Sequence, residues 1–71
     1  MRVEYVVSPE EGGWSLRQGS RHVAGYDSRE RALTAAEALA QAAASAGEKG
    51  VVKVRDGDAL REHRSFLPDL F

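Results

Sequence analysis

Apolar and polar side chains alternate along the chain up to Asp27, shift to a three-to-four spacing through an alanine-rich stretch, and alternate again after Gly50. A two-residue period marks a half-buried strand and a 3.6-residue period an amphipathic helix. The pattern therefore predicts three strands, one long helix and a closing hairpin. The first strand, Arg2 to Val7, puts Val3, Tyr5 and Val7 on one face and Arg2, Glu4 and Val6 on the other. Ser8-Pro9-Glu10-Glu11-Gly12-Gly13 supplies a proline without a ladder donor and two glycines free to take positive φ, so the chain reverses there. Trp14 to Arg17 is the second strand, with Trp14 and Leu16 on one face. After the Gln18-Gly19-Ser20 turn, Arg21 to Tyr26 is the third. In that strand Val23 argues for one parity and Ala24 with Tyr26 for the other; Val23 is taken as inward.

Asp27 reads as the helix N-cap, with Glu30 three residues on able to reach back to it. Ala32, Leu33, Ala36, Leu39, Ala40 and Ala43 form one stripe, and Gly47 ends the helix as the left-handed C′ residue. Alanine buries little area, so such a helix must lie close on its sheet. Val51 to Arg55 and Ala59 to Ser65 are the last two strands, joined through Asp56-Gly57-Asp58, with Val52, Val54 and Leu60 expected to face the helix. The expected architecture is α+β: an antiparallel sheet with one helix on one face, in the order β-β-β-α-β-β. Residues 1–71 form one domain, of which 66–71 is an apolar tail.

A chain of 71 residues has room for one thin core, and without cysteine it has no disulfide or thiolate metal site to reinforce it. Self-association is the staple that remains. The amino terminus lacks a signal-peptide pattern and no segment is apolar enough to span a bilayer, so a cytoplasmic location away from membranes is expected. A net charge of −1 gives no overall pull toward nucleic acid, so such a role needs an uneven distribution of charge.

The strand parities supply one. They place Arg2, Arg17, His22, Lys53, Arg55, Arg61 and His63 on the face away from the helix, opposed there mainly by Glu4. Water-facing strands often carry such cations paired across the sheet. The sharper reading makes Arg17, Lys53, Arg55 and Arg61 a phosphate-binding surface, as in β-sheet readers of nucleic acid. The tail offers a second surface: Phe66, Leu67, Leu70 and Phe71, with Val6 on the outer face and Tyr26 as a further candidate, either pack on their own core or cover a second copy.

Enzyme chemistry has weaker support. His22 and His63 have no cysteine near them, Glu10 and Glu11 fall in a solvated turn, and Gly12-Gly13 precedes a strand rather than the helix that a phosphate-binding loop needs. Trp14 is able to stack on a ligand, but its phase with Leu16 makes it a core residue first. No cofactor or metal is expected.

The succession Tyr5-Val6-Val7-Ser8-Pro9, Gly13-Trp14-Ser15-Leu16-Arg17, Asp27 through Leu33, Ala36 to Ala40 and Val54-Arg55-Asp56-Gly57 resembles the bacterial domain of unknown function 2188 family. The likeness runs over nearly the whole chain, although the helix is long in alanine and the tail after Phe66 looks like an addition. It implies this fold and no activity, because its motifs are a turn, a core tryptophan and a helix cap. The sequence therefore points to a small bacterial interaction module, not an enzyme, that associates as a homodimer and binds protein; nucleic-acid binding through the outer sheet face is the alternative.

Overall fold

The computed structural model describes residues 2–68. Its strands are β1 (Arg2–Glu10), β2 (Gly13–Gln18), β3 (Arg21–Tyr26), β4 (Lys49–Asp56) and β5 (Ala59–Phe66), and its helix is α1 (Arg29–Ser45), between β3 and β4. The element order is the expected one. The five strands form a single sheet in the order β3-β2-β1-β4-β5.

The sheet is mixed rather than wholly antiparallel, because β1 and β4 at its centre pair in parallel. Chain direction explains this. The first three strands run up, down and up, α1 brings the chain back down, and β4 must then run up beside β1. A parallel pair needs such a long crossover. β1 also runs further than expected, through Pro9 to Glu10. Its ladder with β4 has by then ended at Val7 opposite Val54, so Pro9 is accommodated much as on an edge strand.

The core lies between α1 and one sheet face, formed by Tyr5, Val7, Leu16, Val52 and Val54 against Ala32, Leu33, Ala36 and Ala40, with Val3, Trp14, Tyr26, Ala35 and Phe66 packed around it. Ala43 and Ala44 are also buried, whereas Leu39 is exposed at the rim of the stripe. The helix sits as close as its alanines allow, with the Ala40 backbone directly over Gly50. Ser28, not Asp27, is the N-cap: its Oγ accepts from the Arg31 N–H at 3.2 Å. Asp27 instead faces Arg31 across one turn, 3.6 Å away. At the other end Gly47 takes φ +91°, and the N–H groups of Gly47 and Glu48 donate back to Ala44 and Ala43, the paired bonds of a Schellman ending.

Both edge strands carry a bulge, and each reverses an expected parity. Leu16 faces Ala24 while Arg17 faces His22, which leaves Val23 as the extra residue, 42% exposed, and turns Ala24 and Tyr26 toward the helix. Between β4 and β5, Val52 faces Arg64 but Lys53 faces Glu62, so His63 is the extra residue. Leu60 therefore sits opposite Arg55 on the outer face and is 44% exposed. An inserted residue shifts every later side chain to the opposite face.

Candidate functional site

Two surfaces collect the polar side chains, the outer sheet face and a cleft beside the start of α1. On the outer face, β1 contributes Arg2, Glu4, Val6 and Ser8, β2 contributes Ser15 and Arg17, and β4 contributes Val51, Lys53 and Arg55. The pairing rows run His22, Arg17, Val6, Lys53 and Glu62 across the sheet, with Ser8 beside Ser15 and Gly25 in a neighbouring row. The centre of this face is uncharged and tightly packed. Ser15 is 2% exposed and Val51 has no exposed area, although α1 lies on the other side of the sheet, and the Ser8 and Ser15 hydroxyls lie 3.1 Å apart.

Arg17, Lys53 and Arg55 share this face as expected; Arg61 and His63 do not. Arg61 lies opposite Val54, on the helix side, and His63 Nε2 is 3.8 Å from the Glu37 carboxylate of α1. Arg64 joins the same carboxylate at 3.1 Å, and its guanidinium stands 4.7 Å from the Phe66 ring centre. Their outward placement is corrected by the β5 bulge, which rotates the strand between Glu62 and Arg64.

Lys53 is engaged too. Its Nζ is 3.0 Å from one Glu4 oxygen and Arg2 Nε is 3.2 Å from the other. The hydrogen bond from Lys53 is the main cause holding the Glu4 carboxyl below the ordinary carboxylate range; partial burial works against it, and the charges of Lys53 and Arg2 add to it. Since the folded-state pKa is the lower one, Glu4 contributes stability above its unfolded value of about 4.3 and loses it as pH falls through the folded value. The Lys53→Gln variant is expected to raise the Glu4 pKa toward the ordinary range in an NMR titration, and added salt to reduce the difference. An unchanged Glu4 titration in that variant would refute the assignment. In the core, burial pushes the Tyr5 phenol up, with the Glu48 charge adding to it.

Among the apolar candidates, Val6 is half-buried on the outer face, Phe66 packs half-buried on its own core, and Leu67 is 72% exposed. Leu70 and Phe71 lie outside the described residues. Tyr26 faces the helix side and joins the packing around the core, so it is removed from the outer surface.

The cleft has an open volume of about 500 Å³ and lies between the first residue of α1, the β2 end that carries Trp14, and the β4–β5 hairpin. Val54 and the half-buried Trp14 give it apolar walls, Arg29, Arg61, His63 and Asp56 line it with polar groups, and Arg55 and Glu62 reach its edge from the outer face. Sequence parity did not find this arrangement, because it sent Arg61 and His63 to the other face and gave Arg29 no neighbour beyond its helix. Among the described residues no three of His, Asp and Glu are grouped to hold a metal ion, and no helix is long and apolar enough to cross a membrane. Comparison with protein-family models, curated proteins and solved structures finds no match to this chain.

Proposed function

We propose that this protein is a non-enzymatic, cytoplasmic interaction module that associates with a second copy of itself through the outer face of its sheet. The observation that carries the reading is the parallel β1–β4 pair at the sheet centre, which has α1 on one side only. Sheets made wholly of parallel strands have both faces covered almost without exception, and here one pair of the mixed sheet is parallel. Both strands of that pair put a valine on the outer face among their charged residues, Val6 between Tyr5 and Val7 and Val51 before Val52. The side away from α1 presents half-buried Val6 and Ser8 at its centre, above the already buried Ser15 and Val51, ringed by Arg17, Lys53 and Arg55 of one sign and Glu4 and Glu62 of the other. A rim that carries both signs supplies partners for salt bridges between two copies offset from Val6 so that Arg17 of one approaches Glu62 of the other. The family resemblance drawn from the sequence belongs to this proposal and adds a fold without an activity.

Sedimentation equilibrium is the test. The native chain is expected to dimerise, and Val6→Asp to weaken the association roughly a hundredfold or more, because it buries an unpaired carboxylate, while far-UV circular dichroism stays native. A native chain that remains monomeric at several hundred micromolar (roughly the upper end for a specific weak dimer) would end the proposal. Nucleic-acid binding is the second reading, favoured by Arg17, Lys53 and Arg55 on the same face. The two readings separate by salt, since phosphate contacts weaken steeply with ionic strength and an apolar-centred dimer does not.

A further inference from the structure

The cleft beside α1 has a composition that its structural role does not require. The ion pairs among the described residues engage Arg2, Arg31, Lys53 and Arg64, His63 lies beside Glu37, and none of these contacts involves Arg29, Arg55 or Arg61. These three guanidinium groups come from three separate elements and line one cavity. Arg29 is the first helical residue, where the helix dipole disfavours a cation.

We propose that this cleft binds a nucleotide unit, with a planar base against Trp14 and a phosphate between Arg29 and Arg61. The volume is within the range of small-molecule sites, and an aromatic wall beside polar donors is the usual way to hold a flat ring that carries a charged group. Guanidinium groups suit the phosphate because each presents two parallel N–H donors to its oxygens. Asp56 and Glu62 argue against a bare polyanion, which they would repel. They match a base whose ring and exocyclic N–H groups need acceptors, so the ligand combines an anion at one end with donors at the other. A free mononucleotide and one unit of a single strand share this chemistry. The cleft shares Arg55 and Glu62 with the rim of the outer face, whereas Arg29 and Arg61 belong to the helix side, so a double substitution of Arg29 and Arg61 tests this site without touching the self-association surface.

Trp14 is the only tryptophan, so its fluorescence reads the cleft directly. Titration of the full chain with adenosine monophosphate is expected to change Trp14 emission saturably. The double substitution Arg29→Gln with Arg61→Gln, at two exposed positions, is expected to weaken binding roughly tenfold or more through loss of charge-assisted bonds. Inorganic phosphate should compete poorly. A short single-stranded oligonucleotide that binds more tightly than the monophosphate identifies the strand as the source, and equal affinity identifies the free nucleotide. Amide shifts mapped by NMR provide a second readout, expected at Arg29, Val54 and Arg61. The proposal is overturned by unchanged emission and amide shifts up to roughly 10 mM nucleotide. Binding indifferent to the double substitution, inorganic phosphate as effective as the nucleotide, or shifts confined to Val6 and Arg17 on the outer face would overturn it equally.

Discussion

Gly50→Ala is expected to cost about 3 kcal/mol, a large part of the roughly 4–10 kcal/mol that a domain of this size commands. A Cβ at Gly50 would stand 2.2 Å from the Ala40 carbonyl oxygen and 2.7 Å from two further backbone atoms of that residue. Backbone cannot rotate away as a side chain tip can, so the helix must lift from the sheet. Lifting it separates Ala36 and Ala40 from Val52 and Tyr5, and small side chains have no reach with which to close the gap. Gly25 provides the control. It also lies in a strand, but a Cβ there would meet its nearest atom at 3.8 Å, an ordinary contact. Gly25→Ala is therefore expected within about 0.5 kcal/mol of the native protein, or slightly stabilising through the unfolded chain. Urea denaturation measures both, and Gly50→Val should leave no folded transition. Equal midpoints for Gly50→Ala and Gly25→Ala would mean that the helix does not lie on Gly50.

The element order was legible because each element announces itself locally. Alternation in Arg2 to Val7, the alanine period after Asp27 and the Asp56-Gly57 turn all act over a few residues. The close helix was legible as well, since a stripe of alanines leaves no alternative. Sheet pairing was not, because parallel β1 and β4 meet across nearly fifty residues of sequence and only the direction count of the intervening elements brings them together. The cap falls one residue beyond the expected Asp27 because Asp27 and Ser28 both cap well, and only backbone geometry chooses between them.

The bulges are the deeper cause of what stayed hidden. Val23 and His63 look like ordinary members of alternating strands, and no glycine or proline marks either position. One inserted residue at His63 leaves Phe66 facing in but moves Arg61 to the helix side and Leu60 to the outer face. Arg17, Lys53 and Arg55 were grouped rightly because no bulge lies between them and their reference residues in β1, β2 and β4. The cleft was missed because half of its donors are on the far side of that insertion. Trp14 packs against the core on one side and lines the cleft on the other.

The sharpest consequence of the bulged register is a contrast between two leucines. Leu16→Ala is expected to cost about 3 kcal/mol, within the range for a fully buried leucine, and to lower the melting temperature by about 12–24 °C. Leu16 has no exposed area and stands on β2 in the centre of the cluster beneath α1, where the alanines above it cannot expand into a vacated space. Leu60→Ala is expected to change stability by less than about 0.5 kcal/mol, since the side chain is nearly half exposed at the free end of the β4–β5 hairpin. Differential scanning calorimetry on both variants distinguishes the registers. Without the bulge Leu60 would face the helix and the two losses would be similar. Arg61 and His63 would then return to the outer face, the cleft would lose two of its donors, and the nucleotide proposal would fall while the self-association proposal would face a more cationic surface to bury.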